Sequence, residues 1–217
     1  MPDRPTPLLV VMDVDSTVIE QEVIELIAAY AGVEERVREV TLAAMRGELD
    51  FAASLRARVA LLEGLPASVL DAVRAAVRLT DGAAELVHEL HAAGHLVALV
   101  SGGFDVVVDG IARAVDADHY RANTLEIIDG VLTGRVQGEI VDRAVKARML
   151  REFAQLHAIP LSRTVAVGDG ANDLDMMREA ELGIAFCAKP VVQEAADRAI
   201  NVRDLRLVLD EIALHFG

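Results

Sequence analysis

An apolar run at residues 8–12 (LLVVM) ends against two carboxylates, Asp13 and Asp15. A short Val-rich run between turn-formers reads as a strand buried on both faces of a parallel sheet. Residues i and i+2 of a strand share a face, so Asp13 and Asp15 project together if the extended chain persists past the strand. The periodicity then turns helical. Val23, Ile24, Leu26, Ile27 and Tyr30 mark a helix over 18–31 that Gly32 stops. A second helix is predicted over 33–47. A third covers 51–62, with Asp50 as N-cap and Gly64 as its end, and a fourth covers 67–78. Residues 18–79 thus hold no strand candidate.

The α/β alternation resumes at Asp81. It predicts a helix at 82–93, a strand at 95–100 (HLVALV) ending in Ser101-Gly102-Gly103, and a helix at 105–114. Two β-prone runs, 125–128 and 131–136, flank Asp129-Gly130, which is a hairpin signal. A helix at 143–157 carries Lys146. A strand at 164–167 runs into GDGAND at 168–173 and a helix at 174–180. Short strands at 182–186 and 199–202 and a helix at 205–216 complete the chain. This alternation predicts an α/β fold, a doubly wound parallel sheet whose ligands bind beyond the carboxyl ends of the strands. The expected organisation is a core of residues 1–17 and 80–217, an inserted all-helical cap at 18–79, and a small β-hairpin.

At 217 residues the chain suits one large domain, or a core with an insertion. Hydrophobic residues make up 53%, but aromatics only 3%, so Ala, Val, Leu and Ile must fill the core. A formal net charge of −14 argues against nucleic acid or an anionic membrane as partner. Cys187 is the single cysteine, so no internal disulfide can form, which is compatible with a reducing compartment. No apolar run approaches the ~20 residues of a membrane span. The opening MPDRPTP lacks the charged-then-apolar form of a signal peptide, and a cytoplasmic location is expected. The six histidines show no ligand-like spacing and carry no assigned role.

The chemistry-bearing residues collect at three strand ends: Asp13 with Asp15, Ser101, and Asp169 with Asp173. Two unit charges 4 Å apart repel by about 4 kcal/mol at an effective dielectric of 20, and a cation between them reverses that sign. Mg²⁺ takes oxygen ligands, which Asp13, Asp169 and a backbone carbonyl near Asp15 would supply. A carboxylate can attack phosphorus, and a second acid must then protonate the leaving oxygen and activate water. Ser101, the amides of Gly102 and Gly103, and Lys146 are suited to hold phosphoryl oxygens.

In order, DVDST at 13–17, SGG at 101–103, Lys146 and GDGAND at 168–173 resemble the four motifs of the haloacid dehalogenase-like phosphatase superfamily. Glu22, SLRARV at 54–59, SGGF at 101–104, VAVGDGAND at 165–173 and AFCAKP at 185–190 make the chain similar, within it, to the phosphoserine phosphatase family. The resemblance covers nearly the whole chain. It implies Mg²⁺-dependent hydrolysis of O-phospho-L-serine to serine and phosphate through an aspartyl-phosphate, the last step of serine biosynthesis. The alternatives are another small phosphomonoester, transfer to an alcohol such as homoserine, or a non-catalytic binding protein on the same fold. The resemblance makes Asp13 the nucleophile and Asp15 the general acid/base. It gives Mg²⁺ to Asp13, the Asp15 main-chain carbonyl and Asp169, with Asp173 in support. Ser101, Gly102 and Lys146 would bind phosphate, with Asn172 near it. Glu22 would face the substrate ammonium, Arg58 its carboxylate, and Met45 and Phe51 would line the closed pocket. Such proteins often carry an N-terminal regulatory domain. Here the first motif comes almost at once, so a minimal catalytic form, monomeric or homodimeric, is expected.

Overall fold

The computed structural model describes residues 6–45 and 48–217, the Met45 side chain excepted. Among them, seven strands form one sheet: β1 (Leu9–Met12), β2 (Leu96–Phe104), β3 (His119–Ile128), β4 (Val131–Gln137), β5 (Thr164–Gly168), β6 (Leu182–Phe186) and β7 (Arg198–Ile200). Their order is β4-β3-β2-β1-β5-β6-β7. Only the β3–β4 pair is antiparallel. The helices are α1 (Val23–Ala31), α2 (Glu34–Met45), α3 (Phe51–Ala60), α4 (Val69–Ala76), α5 (Ala83–Ala92), α6 (Asp105–Val115), α7 (Arg143–Leu156), α8 (Leu174–Glu179), α9 (Pro190–Gln193) and α10 (Leu207–Phe216).

β1 lies mid-sheet because both of its faces are apolar. Val10 and Met12 enter one core, with Leu86 of α5 and Val108 of α6. Leu9 and Val11 enter the other, with Leu150 of α7 and Met177 of α8. The period of two along LVVM divides these four side chains between the cores. Fully burying each contributes about 1.5–3 kcal/mol. The chain builds outward from β1 through β2 and β3 to one edge, then returns to β5 and continues to β7. That reversal beside β1 is where such sheets open a crevice at the carboxyl ends of their strands.

The elements follow the sequence pattern with four informative departures. The first helix starts at Val23, not at residue 18. Residues 14–18 instead form a wide turn that closes Ile19 N on Val14 O (3.0 Å), with Ser16 at φ +59°. Ile19 then makes an antiparallel bridge to Leu79, and Thr80 N donates to Val18 O at 2.9 Å. The two ends of the helical stretch are thus paired where they meet the sheet. β2 does not stop at residue 100 but continues through Ser101, Gly102 and Gly103 to Phe104, with a register shift against β3 between Val100 and Phe104. The hairpin is no separate unit: β3 begins at His119 and pairs with β2, so the hairpin extends the sheet edge. α9, four residues long, had no periodicity to announce it. The expected end of the second helix at 46–47 lies outside the described residues, as does the opening MPDRP.

Local signals behave as their chemistry dictates. Asp50 caps α3 by accepting from Ala53 N at 2.7 Å. Asp129 and Gly130 both take positive φ, as a two-residue hairpin turn requires. No helix among the described residues is long and apolar enough to cross a membrane.

Candidate active site

A pocket of about 700 Å³ opens beyond the carboxyl ends of β1, β2 and β5. Asp13, Asp15, Gly102, Gly103, Asp169 and Asn172 line it from the sheet. Glu22, Phe51, Ser54 and Arg58 line it from the helical stretch. Thus the three strand ends that the alternation brought to one sheet edge meet there, joined by residues of the helical stretch. Ser101 and Lys146 lie behind this lining. Met45 ends α2, and its side chain is outside the described residues.

Asp13 follows β1 directly, anchored by its own amide on Val167 O (2.9 Å), and is 4% exposed. Its Oδ1 accepts from Lys146 Nζ. Lys146, on the first turn of α7 and fully buried, also donates to Asp173 Oδ1 at 2.7 Å. The other Asp173 oxygen accepts from Gly170 N at 3.0 Å. Both oxygens of Asp173 are therefore engaged. Asp169, by contrast, meets only its own backbone amide among the described hydrogen bonds.

Asp15 sits in the wide turn, with Oδ2 at 3.4 Å from the Val23 amide that opens α1. Its Oδ1 is buried without a partner. The backbone of Gly103 passes so near that a Cβ there would lie 3.0 Å from Asp15 Oδ2 and press on this carboxyl. The Ser101 hydroxyl accepts from Gly103 N at 2.8 Å and holds the loop's shape.

Beside Asp15, Glu22 Oε1 accepts from the Ser16 hydroxyl at 2.8 Å. Arg58 makes no ion pair among the described residues; its Nε reaches only Ser54 O, at 3.4 Å. Burial pulls its guanidinium below the usual range, against the opposing pull of Glu22 and Asp15. A half-buried, unpaired guanidinium facing a pocket is suited to a carboxylate, which it grips in a fork.

The carboxylates are crowded. Burial pushes Asp15 up to about 8, with Glu22 adding repulsion, and Asp169 up to about 6, with Asp173 adding repulsion. Asp13 is pushed well above the carboxylate range by burial and Asp173, against Lys146. Lys146 is pulled down by burial, but Asp13 and Asp173 outweigh this and hold it charged, above the usual lysine range. Carboxylate oxygens of Asp13, Asp169 and Asp173 lie within 4.8 Å of one another. Three carboxylates and one ammonium leave a formal charge of −2, and the donors are all oxygen. The cluster therefore fits a hard divalent cation.

A stability prediction follows. A group whose folded pKa is raised contributes stability below its unfolded value and loses it as pH climbs to the folded one. For Asp169 that window runs from about 4 to about 6, and for Asp15 to about 8. The melting temperature of metal-free protein is expected to fall as pH rises from 5 to about 8. A saturating divalent cation should flatten that slope. Scanning fluorimetry at fixed ionic strength reads both; a flat metal-free profile would contradict the crowding described.

Three contributors escaped the sequence pattern. Asn123 of β3, 1% exposed, donates to Gly102 O and accepts from Val141 N, both at 2.8 Å. It fills the gap in pairing where β2 bulges and ties the Ser101–Gly103 loop to the segment leading into α7. Arg203 Nη1 donates to Ser16 O at 3.0 Å and braces the strained turn. Arg143 also lines the pocket but is engaged with Asp175. No local spacing distinguishes any of them.

The doubly wound sheet, the acid pair after β1 and the buried Lys146 define a hydrolase class, and sequence comparison agrees. The family model for haloacid dehalogenase-like hydrolases matches residues 10–178, and the chain belongs to that family. It is 64% identical over 201 residues to a protein of Streptomyces coelicolor named phosphoserine phosphatase, covering 93% of this chain but 49% of that one. The chain thus spans about half the length of that relative. A phosphoserine phosphatase of Streptococcus thermophilus is 51% identical over 202 residues, covering 93% of this chain and 94% of that one. Among solved structures, a substrate-bound phosphoserine phosphatase complex superposes with a TM-score of 0.90 at 45% identity, covering 94% of this chain and 98% of that one. A phospho-aspartyl intermediate analogue of phosphoserine phosphatase gives the same score and identity, covering 95% and 99%.

Proposed function

We propose that this chain hydrolyses O-phospho-L-serine to L-serine and phosphate through a phospho-Asp13 intermediate, with Mg²⁺ as its cation. The observation that carries this is a pocket lined by two unlike sets of groups. The core sheet brings Asp13 and Asp15 beside the Gly102–Gly103 loop; the helical stretch brings Glu22 and the unpaired Arg58. The first suits a phosphoryl group and the second an ammonium with a carboxylate. The names of the relatives, and of the substrate-bound neighbour, support the same substrate.

The Asp13 oxygen that Lys146 does not hold attacks phosphorus. The Oδ–P bond forms and the bond from phosphorus to the serine oxygen breaks. Asp15, its pKa raised by burial, is protonated at neutral pH and gives its proton to the departing oxygen. The resulting carboxylate takes a proton from water, whose oxygen attacks phosphorus and releases Asp13. Lys146 offsets negative charge behind Asp13, and the Ser101-Gly102-Gly103 loop and Asn172 stand around the phosphoryl group. Held by Asp13, the Asp15 main-chain carbonyl and Asp169, with Asp173 fixed behind them by Lys146, Mg²⁺ would neutralise phosphoryl charge.

Residues 18–79 then act as a lid over a core of residues 1–17 and 80–217. Its two ends are joined by the Ile19–Leu79 bridge, and its residues 64–67 are also hydrogen-bonded to β4. Closure brings Glu22, Arg58 and Phe51 around the amino-acid end and excludes water.

The test is phosphate release from O-phospho-L-serine with Mg²⁺, with a chelator, and with homoserine as competing acceptor. Release that needs the cation and is not diverted to homoserine is expected. No release from phosphoserine, or an undiminished rate in chelator, sinks the reading. Arg58→Ala is expected to raise KM for phosphoserine about 10- to 100-fold, the worth of a charge-assisted contact. Hydrolysis of para-nitrophenyl phosphate should change little.

A further inference from the structure

α3 carries Phe51, Ser54 and Arg58 to the pocket, and it is held at both ends. At its start the Phe51 ring packs on Gly102, where a Cβ would lie 2.9 Å from Phe51 Cζ. At its end the chain runs on along β4. Gly64 N donates to Leu132 O (2.9 Å), Leu132 N to Leu65 O (2.9 Å) and Ala67 N to Gly130 O (2.8 Å), and Pro66 bridges Val131. The last turn of α3 rests on Gly134, which has φ +76°. A Cβ on Gly134 would lie 3.0 Å from Glu63 Cβ and 3.3 Å from both Cα and O of Ala60. The Ala60 atoms are backbone and cannot rotate away. A Cβ at Gly134 would press on both residues, and helix and strand would have to part by a few tenths of an ångström, on top of the strain of a positive φ.

Resting on the reading of Arg58 given above, we propose that Gly134 is a positioning residue for substrate selectivity. Its bare backbone sets the height of α3 over the pocket, and with it the places of Arg58, two residues before Ala60, and of Phe51. A side chain at 134 would lift the C-terminal turn of α3 and shift the guanidinium from the substrate carboxylate. The phosphoryl machinery on β1, β2 and β5 would stay in place.

The experiment compares kcat/KM for O-phospho-L-serine with that for para-nitrophenyl phosphate, which has no amino-acid end. Gly134→Ala is expected to lower this ratio about tenfold through KM for phosphoserine, since small misplacements of a binding group are costly. Gly138→Ala supplies the control. It follows the same strand at φ +72°, yet an added Cβ meets nothing within 4 Å, so it carries backbone strain without the contact. An unchanged ratio in Gly134→Ala, or an equal loss in Gly138→Ala, overturns the proposal. Arg58→Ala is run alongside: if it lowers the ratio and Gly134→Ala does not, only the positioning claim fails. If Arg58→Ala leaves the ratio unchanged, the reading beneath it fails, and the proposal with it. Should Gly134→Ala not fold, the exposed Pro66→Gly, which loosens the same docking, is read on the same ratio. A loss supports the proposal and an unchanged ratio overturns it.

Discussion

Asp13→Asn is expected to release phosphate at less than about one ten-thousandth of the parent rate, while folding at least as well. An asparagine fits the same space after β1 but offers an amide oxygen, which does not attack phosphorus. Residual catalysis from Lys146 and the glycine loop cannot substitute, because the missing part is the bond-forming atom. Stability moves the other way. Asp13 shares its buried corner with Asp169 and Asp173 against one ammonium. Neutralising it takes the formal charge of that group from −2 to −1, and Lys146 keeps its bond to Asp173. Metal-free Asp13→Asn should therefore melt no lower than the parent at pH 8. Two measurements decide the matter: phosphate release, and acid-quenched protein assayed for covalent phosphate. Turnover within tenfold of the parent would remove Asp13 from the role of nucleophile.

What could be read from the sequence was what local chemistry fixes. LLVVM has one way to bury five apolar residues in a row, and its position mid-sheet follows from having no polar face. Asp50 caps a helix and Asp129-Gly130 turns a hairpin for reasons contained in a few residues. The misread features depend on partners far along the chain. Val18 and Ile19 continue an apolar helical rhythm, but Ile19 pairs with Leu79, sixty residues on, and the wide turn at 14–18 delays the helix. Ser101-Gly102-Gly103 reads as a turn, yet Asn123 of β3 takes up the backbone group that the bulge leaves unpaired. The spacing around Lys146 describes an ordinary solvated helix lysine, and only the family likeness placed it in the site. In the structure no part of it is exposed, because the partners that repay its burial lie 133 residues before it, at Asp13, and 27 after it, at Asp173. Gly134 is less legible still. Nothing near it in sequence says that a helix will rest upon it.

Lys146→Met is expected to destabilise the metal-free protein by about 3–5 kcal/mol at pH 8, the usual cost of breaking a buried ion pair from one side. Methionine fills similar volume, so the loss is electrostatic rather than a cavity. Asp13 and Asp173 would then sit buried, with Asp169 beside them and no counter-charge. For a chain of this size that corresponds to a fall of roughly 6–20 °C in melting temperature. Without the ammonium the folded carboxylates hold their protons more tightly than the unfolded ones. Stability lost at pH 8 should therefore return as pH falls toward 4, where they are neutral in both states. A divalent cation should restore it at pH 8 by another route, supplying the positive charge the variant lacks. Restored stability should not bring back full activity, since the cation cannot take the place of the hydrogen bond that orients Asp13. Scanning fluorimetry across pH, with and without the cation, separates these effects. A variant that melts within a degree or two of the parent at pH 8 without metal would show that Lys146 does not balance the acid cluster. Its burial between Asp13 and Asp173 would then lack an electrostatic reason.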